Sequence, residues 1–158
     1  MQQENTVFTR PPRLALLIDA ENFSGVYAAR LMTLIKPLGR PIIRRAYGDW
    51  TTSQLAQWKG VLHTLAIRPF QQFHYRHGRN ASDAALIMDA MEMLHFRRVD
   101  GLCIASSDSD FTGLAARYQE AGLQVFGFGL SNAAAPFKAA CNEFFCLDAP
   151  EQRVESAA

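Results

Sequence analysis

An α/β fold, doubly wound around a mainly parallel central sheet with helices on both faces, is what the sequence predicts, and three observations predict it. Short apolar runs of strand length alternate with helix-like patterns along almost the whole chain. The runs are apolar throughout, as in strands covered on both faces. Parallel neighbours need crossover connections, which the intervening helical segments supply. At 158 residues, 49% hydrophobic and 20% charged, the chain is long enough for one buried core and too short to expect two. One domain is therefore expected over residues 14–148, after a polar lead (1–13) and before a frayed tail (149–158).

Each element has its own signal. LALLI (14–18) is a continuous apolar strand that ends at Asp19. Helical spacing over 26–38 precedes a second strand that starts at Pro41, reads IIRRAY and stops at Gly48. Residues 52–63 suit a helix and 67–74 a third strand, followed by the polar, Gly-containing loop RHGRNA (76–81). Ser82 is placed to cap a long helix reaching about Phe96. A fourth strand over 101–104, a helix over 111–121 ended by Gly122, and a fifth strand over 123–127 follow. A helix over 134–142 and a strand over 144–147 close the alternation.

Composition sets limits on function. A formal net charge of +1 gives no signature of a protein that coats nucleic acid, so any such affinity must be local. Cys103, Cys141 and Cys146 are odd in number and lack C-x-x-C spacing, which fits buried thiols in a reducing compartment. The lead MQQENTVFTRPPR has no apolar signal core, and no run approaches the roughly 18 apolar residues that cross a bilayer. A soluble, cytoplasmic protein with no membrane partner is expected.

The carboxylates are the chemical signal. In open α/β sheets the ligand crevice lies beyond the carboxyl ends of the strands, and Asp19 and Asp108 follow the first and fourth strands there. If those strands are neighbours the two carboxylates converge, and like charges in close approach favour a cation between them. At about 100° per residue, Leu86, Ile87, Ala90 and Leu94 form one stripe of the long helix, and Asp83 lies on its centre line. Glu92 falls on the far side, and Asp89 lies off the stripe. Each aspartate also has a use without chemistry: Asp19 as a turn residue, Asp83 against the helix dipole, Asp110 as an N-cap. Three elements aimed at one rim are harder to explain as caps.

An all-oxygen acidic site suits Mg²⁺ or Mn²⁺, whereas His63, His74, His77 and His95 lack zinc-like spacing. Phosphate-cradling and nucleophile-elbow motifs are absent from the sequence. Arg76, His77, Arg79 and Asn80, just before Asp83, have the donors to grip a phosphodiester backbone. Ser106 and Ser107 are placed to hydrogen-bond around the site. Arg44 and Arg45 alternate along strand two, so at least one of them should leave the sheet face or reach its rim, and Arg97 with Arg98 should lie at the end opposite the acids. Trp50, Phe70, Phe73 and Tyr75 are candidates for stacking bases, for packing a homodimer, or for the core.

The segments LALLIDAENF (14–23), RNASDAALIMDAM (79–91) and IASSDSDFTGLAARYQEAGLQVFGFG (104–129) resemble the three signature blocks of NYN domains, which belong to the PIN-like metal-dependent ribonucleases. The bacterial LabA-like branch is the nearest in appearance, and the resemblance runs from about Arg13 to Asp148. It implies a PIN-like sandwich whose acidic rim binds Mg²⁺ or Mn²⁺ and cleaves RNA, single strands above all. Carried over by motif, the site comprises Asp19 and Asn22 from the first block, Asp83 from the second, and Asp108 with Asp110 from the third. The metal ligands implied are Asp19, Asp83, Asp108 and Asp110, with Asn22 orienting a water or phosphate oxygen. Where many relatives have lysines before the second-block aspartate, this chain has His77, Gly78, Arg79 and Asn80.

Three other readings stand beside this one. A non-catalytic module would use the same ligands to bind RNA or metal and recruit partners. A phosphatase of the haloacid dehalogenase type needs D-x-D-x-T, where this chain has Asp19, Ala20 and Glu21. A purely structural domain would use the aspartates as caps alone.

Overall fold

The computed structural model describes residues 10–73 and 81–149, with the side chains of residues 81 and 82 excepted. Among the described residues six strands and five α-helices alternate: β1 (Arg13–Asp19), α1 (Ala28–Ile35), β2 (Arg40–Gly48), α2 (Trp58–Thr64), β3 (Arg68–Gln71), α3 (Ala81–His95), β4 (Gly101–Ala105), α4 (Thr112–Glu120), β5 (Gln124–Gly129), α5 (Ala135–Ala140) and β6 (Glu143–Cys146). Single 3₁₀ turns at Gly25–Tyr27, Ser53–Leu55 and Ser109–Phe111 lead into α1, α2 and α4. All pairings are parallel, in the order β3-β2-β1-β4-β5-β6. The expected doubly wound α/β architecture is the observed one.

Strand β1 lies at the centre and is buried from Leu14 to Asp19. Side chains alternate across a strand, so Leu14, Leu16 and Ile18 pack with Leu31 and Ile35 of α1 and with Trp58 and Leu62 of α2. Ala15 and Leu17 pack on the other face with Leu86, Ala90 and Met93 of α3 and with α4 and α5. Each fully buried Leu or Ile contributes about 1.5–3 kcal/mol by leaving water. The next residue after Ile18 continues the alternation, so Asp19 faces the side that α3 covers.

Three helices end in the same way, the one at Gly122 as expected from the sequence. Ala66 (φ 53°), Arg97 (φ 49°) and Gly122 (φ 81°) are all left-handed. Each sits in the same terminating pair of hydrogen bonds: Ile67 N–H to Leu62 O with Ala66 N–H to His63 O, Arg98 to Met93 with Arg97 to Leu94, and Leu123 to Tyr118 with Gly122 to Gln119. Helix α3 thus stops at His95, and β3 cannot begin before Arg68. Ser82 is not the cap expected for α3, because the helix already includes Ala81. The helical spacing over 26–38 and 52–63 divides into a 3₁₀ turn and a shorter helix in each case. Strand β5 runs two residues past its expected end, since Phe128 is buried in the core and Gly129 pairs with Cys146.

The register of β1 against β2 slips between Leu14↔Pro41 and Ala15↔Ile43, leaving Ile42 unpaired as a bulge. Pro41 is tolerated there because β3 pairs only with Arg45 to Gly48 of β2, so no partner on that edge needs its missing N–H. No helix among the described residues is long and apolar enough to cross a membrane.

Candidate metal centre

The strand order turns at β1, whose neighbours are β2 on one side and β4 on the other. In open α/β sheets that switch point opens a crevice at the carboxyl ends, and two of the three acids stand at it. Asp19 is the last residue of β1 and is 1% exposed. Its Oδ2 accepts hydrogen bonds from Asn22 Nδ2 at 2.9 Å and Ser106 Oγ at 3.0 Å. Its Oδ1 is buried with no partner among the described residues.

Asp108 follows β4 and caps the 3₁₀ turn Ser109–Phe111, accepting from the Asp110 N–H at 3.0 Å. The N-cap role expected of Asp110 therefore belongs to Asp108, because the chain turns into a 3₁₀ step two residues earlier than a plain α-helix would require. Asp83 comes from the third element, the first turn of α3. The buried stripe on that helix is Asp83, Leu86, Ala90 and Met93, with Ile87 and Leu94 half-buried beside it. Asp83 is 3% exposed, and neither of its carboxylate oxygens has a partner among the described residues.

One oxygen from each of Asp19, Asp83 and Asp108 lies within 4.8 Å of the others. At an effective dielectric near 20, two unit charges 4.8 Å apart repel by about 3–4 kcal/mol, and there are three such pairs. The titration behaviour carries the same message. Burial pushes the Asp83 carboxyl up to about 8, with the charges of Asp19 and Asp108 adding to it. Asp19 is also raised, by burial first; the Asn22 and Ser106 hydrogen bonds oppose that, and Glu21 and Asp108 reinforce it. Such a trio must either hold a proton or bind a cation.

Buried oxygens without hydrogen-bond partners are costly, and among the described residues three of them belong to Asp19 and Asp83, two members of the trio. Hard oxygen donors of this kind fit Mg²⁺ or Mn²⁺. The residues present therefore fit a divalent cation.

The remaining predicted residues divide. Ser106 is fully buried and joins two ligands, donating to Asp19 and accepting from the Asp108 N–H at 3.1 Å. Ser107 instead accepts from Leu130 N–H at 3.0 Å, bracing the loop against the end of β5. Gly129 fits beneath it: a Cβ there would sit 2.8 Å from both Ser106 O and Ser107 Oγ. Asn22 is exposed and held to Asp19. Asp110 is exposed at the rim, where its charge adds to the upward shift of Asp83, and it is not in the three-carboxylate group. Arg76, His77, Arg79 and Asn80 lie outside the described residues, as does Tyr75.

The sequence reading missed Glu21, whose charge bears on Asp19 and whose Oε1 accepts from the Asp49 N–H at 3.2 Å. Its place two residues after a strand end was the available signal. Asp89, ambiguous by spacing, accepts from the Tyr47 hydroxyl at 2.5 Å and from Arg45 Nη1 at 3.2 Å.

The family model for the NYN domain matches residues 13–148. The chain belongs to the NYN domain family. An NYN domain is a member of a nuclease-type superfamily, and the acidic trio is compatible with that setting. The structure is similar to the crystal structure of a protein of unknown function from Vibrio parahaemolyticus, with a TM-score of 0.73 over 94% of this chain and 97% of that one. At 18% identity this likeness supports the fold alone. No curated protein matched the sequence.

Proposed function

We propose that this NYN domain is a Mg²⁺- or Mn²⁺-dependent endoribonuclease of the LabA-like branch, acting on single-stranded RNA in the cytoplasm. The observation that carries the reading is the convergence of Asp19, Asp83 and Asp108, with three buried carboxylate oxygens that have no partner among the described residues. The NYN family match supports the nuclease class, and three free cysteines support a reducing compartment.

Asp19, Asp83 and Asp108 would hold the cation. When bound, the ion acidifies a coordinated water and offsets charge on the attacked phosphate. Asn22 and Ser106 fix the Asp19 carboxylate by two hydrogen bonds to one oxygen, while the other has no partner among the described residues. Asp110, exposed at the same rim, is placed to receive a water or an outer ligand. Arg76, His77, Arg79 and Asn80, which precede α3 in the sequence, would supply the phosphate grip. Aromatic residues that lie near the rim, Phe73 among them, are candidates for base stacking or for a homodimer contact.

The test is cleavage of a single-stranded RNA panel by the purified protein with Mn²⁺, Mg²⁺ or EDTA, alongside Asp19→Asn and Asp108→Asn. Metal-dependent cleavage lost in both variants, with the fold retained, supports the reading. Stoichiometric RNA binding without turnover would favour a recruiting module, and equal residual activity in wild type and variants would mark a contaminant.

A further inference from the structure

The sheet carries a second concentration of charge, of opposite sign, at the rim away from the aspartates. Strand β2 has nine residues and β3 four, and they pair only from Arg45↔Arg68 to Gly48↔Gln71. The first half of β2 extends past the start of β3 and leaves a notch in the sheet edge. The notch is a groove of about 550 Å³, lined by Arg40, Arg44, Arg45 and Arg68 with Ile42 and Ile43, and no acidic side chain lines it. A second groove of about 560 Å³ shares Arg40, Pro41 and Arg44 and adds Lys36. The cationic surface therefore continues around the edge onto the α1 side. In a chain of net charge +1, this is a local cluster rather than a general basic surface.

Three of its four guanidinium groups are held in advance. Arg44 donates from Nε to the Pro41 carbonyl at 3.0 Å and from Nη1 to the Leu65 carbonyl at 2.8 Å, standing in for β3 backbone that is missing at this level. Arg45 is paired with Asp89, and its guanidinium lies 4.8 Å from the Phe70 ring centroid. Arg68 stacks on the same ring at 5.6 Å. Arg40 and Arg68 are exposed. Side chains already held lose little freedom on binding, and the planar fork of arginine matches phosphate oxygens. Asp89 offsets one of the four arginine charges, so the groove keeps a positive excess.

We infer that this notch is a second RNA-binding site, taking phosphates of a strand whose scissile segment lies at the acidic rim. The inference rests on the nuclease reading above. An acidic rim repels a polyanion, so a cationic anchor at the sheet edge supplies affinity that the reaction site lacks. Along the strand direction Arg40 lies level with Arg13, about 20 Å from Asp19 at roughly 3.3 Å per residue, and Arg68 lies level with Leu17, about 7 Å from it. Edge strand β3 runs from Arg68 in the notch past Phe70 toward Phe73, which is 47% exposed. Stacked bases tolerate any sequence, so the track fits RNA better than an acidic peptide.

The test compares wild type with the double variant Arg40→Glu/Arg68→Glu, and with Arg98→Glu/Arg117→Glu as an equal charge change on other exposed positions. Affinity for a fluorescently labelled 24-nucleotide single strand is read by anisotropy in EDTA across a salt series. Thermal unfolding confirms that each variant is folded. Loss of two phosphate contacts should reduce the slope of log K against log salt by about 1.4, at roughly 0.7 per phosphate on single strands. Affinity near 0.1 M salt should fall at least about tenfold, with the control variant close to wild type. An unchanged slope, equal losses in both double variants, or binding of polyglutamate where RNA does not bind would overturn the proposal. Since binding is read without metal, a protein that shows the slope change but cuts nothing supports the groove and sinks the nuclease reading. An active nuclease with an unchanged slope sinks the groove alone.

Discussion

The Ser106 hydroxyl lies 3.0 Å from Asp19 Oδ2 and 3.1 Å from the Asp108 amide nitrogen. One buried group thus ties the end of β1 to the turn after β4, and it uses its single proton on the carboxylate while a lone pair takes the amide. Ser106→Ala should cost about 1–3 kcal/mol, because the half-buried Asp108 N–H loses its acceptor and Asp19 Oδ2 loses one of its two donors. Supporting residues of this kind change metal affinity by about 10–100-fold, so Mn²⁺ titration calorimetry should show a loss in that range. Unchanged affinity would mean that Ser106 only fills space.

Gly129 couples the fold to the same turn. A methyl group there meets Ser106 O and Ser107 Oγ at 2.8 Å, and the first of these is backbone that cannot swing away. Gly129→Ala should destabilise by about 1–3 kcal/mol, as overpacking does, and should weaken Mn²⁺ binding by displacing Ser106. Chemical denaturation and the same calorimetry measure both. Loss of stability without loss of metal affinity would show that the turn adjusts independently of the site.

The pH dependence has a defined sign. Asp83 has a folded value near 8 against 3.8 for the free side chain. A carboxyl raised on folding favours the native state while protonated, so that contribution is complete below about pH 4 and is lost as pH rises toward 8. In EDTA the unfolding temperature should therefore fall across this window. Asp83→Asn keeps that position uncharged and should flatten the fall, giving a midpoint at pH 8 roughly 5 °C or more above wild type, at about 2–4 °C per kcal/mol for a chain of this size. The variant should also lose the rise in midpoint that Mn²⁺ produces in wild type. A wild-type midpoint that is flat from pH 4 to 8 would contradict the repulsion described here.

Asp108 and Asp110 should separate on substitution. Asp108→Asn removes a carboxylate from the group within 4.8 Å, and Mn²⁺ binding should be lost. Asp110→Asn leaves that group intact and removes one charge from the rim, so Mn²⁺ should still bind, within about tenfold of wild type by the measure of an outer ligand. Loss of binding in both variants would place Asp110 among the direct ligands.

Much of this was legible before any coordinates. Asp19 could be placed because a strand end fixes which rim its side chain joins, and Asp83 because a 3.6-residue period fixes which stripe it shares with Leu86 and Ala90. The adjacency of β1 and β4 completed the set. The choice between Asp108 and Asp110 as cap was not legible, since two aspartates two residues apart both satisfy the preference and only the 3₁₀ turn decides. Ala66 and Arg97 hid two helix ends, because left-handed termini are signalled by glycine and neither residue is one. The notch was hidden for another reason: Arg44 and Arg45 marked strand two as cationic, but only the lengths of β2 and β3 show that its edge is open.

The most direct measurement is the anomalous difference density of a Mn²⁺-soaked crystal. A peak bonded by one oxygen from each of Asp19, Asp83 and Asp108, absent from Asp83→Asn crystals, is the expected result. Density with no peak between those carboxylates at millimolar Mn²⁺, or with a peak held by other residues instead, would contradict the metal centre and the nuclease reading built on it.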